Sequence, residues 1–221
     1  MDQQLKKFVK LCKGCTLVSA PSSPEPMVRR ELPEQPWIDV AADFLGPLPE
    51  GQHLLVVIDY YSRYMEVCEM MEITTADTIK ELAIVFSRYG FPMTIRVDNG
   101  PQFSEKCEEF QDFCKSNGIK VVNTIPYWPA MNGEVERQNR SILKRLRIAQ
   151  ELGKDWRLVL RQYLLTYHST NHSVTGKSPA ELMFGRKIRS KLPSVPFAEL
   201  MDEEIRDRDM VHKEKQKEYI D

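Results

Sequence analysis

The sequence predicts an α/β fold in which a mixed sheet is flanked by helices. Three β-rich runs, WIDVAADFL, HLLVVIDYY and YMEVCEM, succeed one another between residues 37 and 70, with turn-forming segments between them. This pattern predicts an antiparallel meander. After the meander, helical segments alternate with the short apolar runs MTIRV and IKVVNT. Such alternation is typical of a mixed sheet, so we expect these two runs to be further strands of it.

The first two helices have recognisable ends. TTADTIKELAIVFSRYG begins with a threonine that can cap the helix and ends at a glycine, which are common start and stop signals. Its expected apolar face comprises Ile79, Leu82, Ala83 and Phe86. SEKCEEFQDFCKSNG predicts a second helix, which stops at Asn-Gly.

Three further helices are expected in the second half of the chain. Two long helices cover residues 133–152 and 154–171. Apolar and aromatic side chains line one face of the later one: Trp156, Val159, Leu160, Tyr163, Leu164 and Tyr167. In SPAELMFG, Ser178 is placed to cap a short helix, with Pro179 in its first turn and Glu181 at its third position.

Composition divides the chain into four parts. Residues 20–35 are rich in proline and polar residues, which predicts an extended linker. A globular domain is expected to begin near Pro36, and residues 1–19 precede the linker. Residues 187–221 are strongly charged, which predicts a solvated helix or tail.

The chain totals exclude several classes of protein. Lys and Arg number 31 against 32 Asp and Glu, so binding to nucleic acid would need a local basic surface. The odd number of cysteines, five, favours a reducing compartment over a disulfide framework. The charged start MDQQLKKFVK lacks the apolar run of a signal peptide, and no segment is apolar enough to span a membrane. We therefore expect a soluble, intracellular protein without membrane contact.

Several acids lie near strand ends and are candidates for chemistry. Asp39 and Asp43 alternate with apolar residues in WIDVAADFL, so both point to the same face of one strand. Four residues of strand separate them by roughly 13 Å, too far to share one metal ion. One of the two is therefore structural or solvated. Asp43, at the end that runs into Gly46, is mildly favoured for chemistry.

Asp59 and Asp98 belong to later strand ends. Asp59 ends the run LLVVI and, if the preceding turn closes a hairpin, lies opposite residues near 40, away from Asp43. Asp98 begins DNG, which is first of all a turn signal. Two-metal phosphoryl transfer, however, needs carboxylates from separate elements at one edge of a sheet. Asp43, Asp98 and one glutamate at a helix start would meet that requirement.

The stretch WPAMNGEVERQNRSILKRLR offers two such glutamates, Glu134 and Glu136. A two-residue offset on an α-helix is a rotation of roughly 200°, so the two carboxylates cannot enter one site. The four histidines, His53, His168, His172 and His212, form no comparable group. His168 and His172 are four residues apart without a third ligand, and we interpret them as ordinary helix-end residues.

Three segments together resemble a known family: DFLGPLPEGQHLLVVIDYYSRYMEV, VDNGPQF and NGIKVVNTIPYWPAMNGEVERQNR. In this order they are similar to the catalytic core of retroviral and LTR-retrotransposon integrases, especially those of gypsy-type elements. YHSTNHSVTGKSPAELMFGR is similar to the segment on the C-terminal side of that core. The resemblance covers residues 36–186 and implies an RNase H-like fold, a mixed five-stranded sheet flanked by helices. It also implies an Asp, Asp, Glu triad that holds two divalent ions, Mg²⁺ or Mn²⁺.

Carried over to this chain, the resemblance makes Asp43 and Asp98 the first two acids. The family's spacing of 35 intervening residues leads from Asp98 to Glu134, whereas the pattern Gly-x-x-Glu-x-x-Asn matches Gly133, Glu136 and Asn139.

On a helical wheel, Glu136 lies beside Arg140, Lys144 and Arg147, on one shoulder of a buried stripe. The stripe comprises Val135, Ile142, Leu146 and Ala149. Glu134 lies on the other shoulder, with Arg137, Ser141 and Arg145. Two extra residues are easily absorbed in the segment after VDNGPQF, so Glu136 is the preferred third catalytic and metal-binding acid.

The family implies processing of DNA 3′ ends and transfer of the freed strand to target DNA, in the nucleus and as a homodimer or larger oligomer. We expect Arg140 and Lys144 to contact DNA phosphates, and Tyr127 and Asn132 to belong to a mobile loop that closes on DNA. The alternative is a truncated or host-retained relative that binds nucleic acid or protein without catalysis.

Cys12 and Cys15 form half of a zinc site, similar to the end of the His₂Cys₂ domain that precedes integrase cores. No histidine occurs before His53, so the site cannot be completed as the family builds it, and zinc is not expected. Either the chain is a fragment or the zinc domain has been lost. We also expect no C-terminal DNA-binding domain of the family's usual kind in the charged end, and therefore do not expect full integration activity from these residues alone.

Overall fold

The computed structural model describes residues 32–123, 133–173 and 175–190, without the side chains of residues 133–137. Its centre is one five-stranded sheet with the order β3-β2-β1-β4-β5. The strands are β1 (Asp39–Leu45), β2 (His53–Asp59), β3 (Met65–Met70), β4 (Thr94–Val97) and β5 (Lys120–Asn123). The first three pair antiparallel, whereas β4 is parallel to both β1 and β5. The predicted mixed sheet and its meander are confirmed.

Five helices connect and cover the strands in the described part of the chain. They are α1 (Thr75–Tyr89), α2 (Glu108–Ser116), α3 (Gly133–Glu151), α4 (Trp156–Ser169) and α5 (Pro179–Phe184). Thr74 caps α1 by accepting from Asp77 N, and Ser178 caps α5 by accepting from Glu181 N. Both predicted caps are therefore confirmed. None of the helices within the described ranges is long and apolar enough to cross a bilayer.

Two details of the predicted helices are wrong. The second helix begins at Glu108 rather than at the start of SEKCEEF, because residues 104–107 form a turn in which Cys107 N donates to Ser104 O. In α1, Ala83 is exposed and Val85 is buried. The buried residues, Thr78, Leu82, Val85 and Phe86, recur at the helical period and place Ala83 on the outer side.

Each face of the sheet carries its own hydrophobic core. Val40 and Ala42 of β1 pack in the core that α1 and α2 cover. Ala41 and Leu45, which alternate with them, pack in the core that contains Ile142 and Leu146 of α3 and Leu160 of α4. Strand β1 is therefore apolar on both faces along most of its length, and polar chemistry is confined to its ends.

Several predictions fall outside the described residues. The half zinc site of Cys12 and Cys15, the linker at residues 20–31 and the charged segment from residue 191 onward stay predictions. The same holds for Tyr127 and Asn132, which precede α3.

His168 is buried on the side of α4 that faces the core. Its ring stacks on Tyr64 with centroids 4.0 Å apart, and its Nε2 lies 2.9 Å from the carbonyl oxygen of Met65. The neutral ring must donate this hydrogen bond, since a carbonyl can only accept. Burial lowers the pKa of His168 from its ordinary value of 6.5 to about 4.

This buried histidine makes stability dependent on pH. Between pH 6.5 and about 4 the unfolded chain binds a proton that the folded chain excludes, so stability falls as pH decreases through this window. We expect His168→Gln to remove about 3 kcal/mol of the total decrease. Urea unfolding at a series of pH values measures the effect. His172→Gln is the matched control, and an equally flattened pH profile in that variant would contradict the assignment.

Candidate active site

The parallel pairing of β1 and β4 brings two strand-end acids together. The paired residues are Asp39 with Thr94, Val40 with Ile95 and Ala41 with Arg96. Continued by two residues toward the carboxyl ends, the same register places Asp98 beside Asp43, on strands about 4.8 Å apart. By strand alternation both residues belong to the face that α3 covers, the face of Ala41.

The turn after β4 holds the Asp98 carboxylate. Gly100 N donates to Asp98 Oδ1 over 2.9 Å, which closes the local turn that the DNG sequence predicts. A Cβ atom on Gly100 would lie 2.9 Å from the same oxygen, so glycine leaves the space that the carboxylate occupies. Phe103 then anchors the turn, because its fully buried ring stacks on Phe44 with centroids 5.0 Å apart.

Asn139 joins α3 to this edge of the sheet. Its Nδ2 donates to Asp43 Oδ2 over 2.8 Å, and Phe44 N donates to Asp43 Oδ1 over 2.9 Å. Asn139 Oδ1 is buried and has no hydrogen-bond partner among the described residues. No role for Asn139 was predicted from the sequence, although its place three residues after Glu136 in the Gly-x-x-Glu-x-x-Asn pattern was the available signal.

The Asn139 contact also orients the start of α3. Position 136 precedes Asn139 by three residues and lies about 60° from it around the helix axis, whereas position 134 lies about 140° away. The shoulder that includes position 134 faces α4: Arg145 lies 4.4 Å from the ring centroid of Tyr163, whose hydroxyl donates to Gln138 Oε1. Position 136 is therefore on the side of α3 nearer to Asp43.

The predicted buried stripe of α3 is confirmed for Ile142, Leu146 and Ala149, which are all buried. The side chain of Val135 lies outside the described residues. Arg140 and Lys144, predicted to contact DNA, are exposed on the outer side of the helix. Arg140 comes about one helical turn after position 136, so a cation stands next to the candidate site.

The other acid of β1, Asp39, serves the fold. Arg96 Nε lies 3.2 Å from Asp39 Oδ1, and both side chains are largely buried. The neighbouring strand thus neutralises Asp39. Of the two aspartates between which the sequence left a choice, Asp43 is the one next to the β4 turn and α3.

Asp59 is fully buried and holds the start of β1 in place. It lies opposite Val40, as predicted. Its Oδ1 accepts from Trp37 N over 3.0 Å, and its Oδ2 accepts from Ser62 N over 2.9 Å and from Ser62 Oγ over 2.5 Å. With its oxygens used in this way, Asp59 is structural.

The donor atoms at the β1–β4 edge suit a hard divalent cation. Carboxylate oxygens from Asp43 and Asp98 and an amide oxygen from Asn139 are ligands or outer partners that Mg²⁺ accepts. The described side chains contain no group of three histidine, cysteine, aspartate or glutamate residues that could hold a metal ion. A third acid would have to come from the start of α3, whose side chains lie outside the described set.

Comparison with known proteins identifies the class of domain. Residues 37–129 match the family model of the integrase core domain. The chain is 34% identical over 193 residues to the uncharacterised protein K02A2.6 of Caenorhabditis elegans, across 87% of this chain and 15% of that protein. It is 30% identical over 187 residues to the Pol polyprotein of feline endogenous virus ECE1, across 82% of this chain and 18% of the polyprotein. The chain spans less than a fifth of these relatives.

Solved structures agree with the sequence relatives. The intasome of simian T-cell lymphotropic virus, solved in complex with the PP2A regulatory subunit B56 gamma, matches with a TM-score of 0.68 and 23% identity. That match covers 89% of this chain and 70% of the other. The HTLV-2 integrase catalytic core domain in complex with magnesium, in its dimeric form, matches with a TM-score of 0.56 and 25% identity, across 68% of this chain and 98% of that domain.

The sheet order and its flanking helices are therefore those of the RNase H-like fold of integrase catalytic cores. The chain contains an integrase core domain, and retroviral Pol polyproteins are among its relatives.

The structural role of Asp59 can be tested separately from any activity. Asp59→Asn replaces an acceptor oxygen with a donor facing buried N–H and O–H groups, so we expect a loss of about 2–4 kcal/mol in the free energy of unfolding. Urea denaturation at pH 7 measures it. Asp77→Asn is the control, because Asp77 accepts from Thr74 Oγ1 at the surface, and this change should cost less than about 1 kcal/mol. Equal losses in both variants would contradict the buried role.

Proposed function

We propose that the chain is a metal-dependent polynucleotidyl transferase of the integrase type. Water would cleave a phosphodiester bond near a DNA 3′ end. The freed 3′-hydroxyl would then attack a phosphodiester of target DNA, which joins the two strands and releases a 3′-hydroxyl of the target. The observation that supports the proposal is the β1–β4 register. Its pairs end at Ala41 with Arg96, and two residues further along each chain are Asp43, which accepts from Asn139, and Asp98. Carboxylates from separate elements at one edge are what divalent-ion phosphoryl transfer requires.

Asp43, Asp98 and Glu136 are the proposed catalytic and metal-binding residues. Asp43 and Asp98 would hold one Mg²⁺ or Mn²⁺ ion and Glu136 would help to hold a second, since all three offer hard oxygen ligands. Bound ions would stabilise negative charge on the attacking and leaving oxygens. The phase of α3 supports Glu136 over Glu134, because position 136 is the nearer of the two to the Asn139–Asp43 contact.

The protein's own groups keep these acids in place. Asn139 and Phe44 N hold the two oxygens of Asp43, and Gly100 N holds one oxygen of Asp98. Such fixed ligands reduce the reorganisation needed when a substrate phosphate enters.

DNA would approach the outer side of α3. Arg140 and Lys144 are exposed there and would neutralise backbone phosphates, with Tyr127 and Asn132 contributing from the preceding loop. Phosphate contacts give binding that weakens with salt and tolerates sequence change. We further propose a homo-oligomer acting in the nucleus. The solved HTLV-2 integrase cores, which are described as dimeric and trimeric, support oligomerisation.

Substitution of the acids tests the proposal and the choice of glutamate. On a branched DNA with Mg²⁺ or Mn²⁺, we expect strand-transfer or disintegration activity in the parent chain. Asp98→Asn and Glu136→Gln should lower the rate by about 100-fold or more, because each removes a charged ligand. Glu134→Gln is the matched control and should stay within about threefold of the parent.

Two results would count against these assignments. If Glu134→Gln loses activity and Glu136→Gln retains it, Glu134 is the third acid, as the family's spacing of 35 intervening residues predicts. A folded parent chain that binds DNA but shows no metal-dependent activity would support a nucleic-acid-binding module instead of an enzyme.

Asn139 is the proposed positioning residue for Asp43. Asn139→Ala should raise the Mn²⁺ concentration for half-maximal activity by about tenfold, since outer partners of metal ligands typically contribute that much. The matched control is Gln138→Ala, which removes the next buried amide of α3 but one that contacts Tyr163 rather than Asp43. Metal titrations of activity distinguish the two. Equal shifts in both variants would show that Asn139 acts through helix packing alone.

A further inference from the structure

A groove of about 470 Å³ lies beside the C-terminal half of α3. The loop after β1 forms one wall and the start of α4 forms the other. Its apolar lining includes Leu48 and Leu146, which are buried, and Leu143 and Trp156, which are half-buried. The volume is in the range of sites that hold a small organic ligand or one unit of a polymer.

The rim of the groove is positively charged. Arg147 and Lys154 line it and are exposed, and neither forms a salt bridge with a described residue. The acid of the rim, Glu50, lies 3.8 Å from Arg157, which neutralises it in part. A ligand that combines an apolar body with negative charge would therefore match this groove.

Trp156 is held in place by neighbouring groups. The Arg157 guanidinium lies 4.4 Å from the centroid of the Trp156 ring. Glu69 in turn binds Arg157, with Arg157 Nη2 2.5 Å from Glu69 Oε1 and Nε 2.9 Å from Oε2. The aromatic surface is thus preorganised, and an aromatic ring in a positively charged groove is the usual composition of a single-strand nucleic-acid site.

The groove continues from the candidate active site along one helix. Arg147 lies eight residues after Asn139 in α3, which is about 12 Å along the axis. Arg147 also shares the shoulder of α3 that includes position 136 and Arg140, whereas Arg145 lies over Tyr163 on the opposite shoulder. A strand leaving the active site along this shoulder would reach the groove within a few nucleotides.

We infer that the groove binds an unpaired segment of DNA next to the reacting phosphodiester. One base lies against Trp156, Leu143 and Leu146, and the flanking phosphates contact Arg147 and Lys154. This inference rests on the proposed function, because it assigns a second contact to the same DNA. A peptide is the less favoured occupant. DNA binding explains why the groove lies along α3 from the Asp43–Asn139 contact, whereas peptide binding does not.

Binding to a single-stranded thymidine oligonucleotide, measured by fluorescence anisotropy in EDTA, tests the cations without any catalysis. For single strands the slope of the salt dependence decreases by about 0.7 for each phosphate that is no longer neutralised. The double variant Arg147→Gln/Lys154→Gln should therefore reduce the magnitude of the slope by about 1.4. Between 50 and 200 mM salt, the affinity of the double variant should then decrease about sevenfold less than that of the parent.

The matched control is Lys80→Gln/Lys115→Gln, which removes the same charge from exposed sites on α1 and α2, across the sheet. Its slope should equal that of the parent. Equal effects of the two double variants would overturn the inference, because a general loss of charge would explain both.

Photocrosslinking locates the base. An oligonucleotide that carries 5-iododeoxyuridine should crosslink to Trp156, which trypsin releases in the tripeptide 155–157, separate from the peptides that contain Trp37 and Trp128. The parent and the inactive Asp98→Asn chain should crosslink alike. If the parent chain shows metal-dependent activity and binds DNA but gives no Trp156 crosslink, the inference that the groove binds DNA is overturned. The enzyme proposal would then remain intact. Absence of DNA binding by the parent would overturn both.

Discussion

The parallel register between β1 and β4 is the constraint on which the candidate site depends. Strand β1 pairs antiparallel with β2 on one side and parallel with β4 on the other, and it is buried on both faces. Polar side chains lie only toward its ends, where Asp39 pairs with Arg96 and Asp43 accepts from Asn139. A slip of one residue would move Asp98 to the opposite face and would also bury Arg96 in an apolar core, away from Asp39. The packing that stabilises the sheet therefore also enforces the position of the acids.

Helix α3 links the core to the proposed chemistry. Its buried stripe packs on the sheet through Ile142 and Leu146, and Asn139 in the same helix donates to Asp43. One shoulder faces α4, as the Arg145–Tyr163 contact shows. The opposite shoulder carries Arg140 and Arg147, runs past the site and ends at the groove. Because one rigid helix carries all these features, the packing of α3 on the sheet sets the distance and direction between the acids and the exposed cations of α3.

Environment separates aspartates that are alike in sequence. Asp39 is compensated by the Arg96 guanidinium, and Asp59 by several buried N–H and O–H donors. Replacing either would leave buried groups without their partners. The donors to Asp43 and Asp98 include the neutral groups Phe44 N, Asn139 Nδ2 and Gly100 N. Neutral donors of this kind fix a carboxylate without cancelling its charge.

The sequence by itself determined the features that arise from contacts between near neighbours. These include the strands of the meander, the caps at Thr74 and Ser178, the stripe through Ile142 and Leu146, and the turn at Asp98. It also narrowed the chemistry to a few acids at element ends. Only the tertiary structure revealed that Asp39 is paired with Arg96, because that partner is 57 residues away on β4. The side of α3 nearer to Asp43, the contact between Asn139 and Asp43, and the groove likewise depend on packing. Periodicity defines the faces of a helix, but only long-range contacts choose which face meets the sheet.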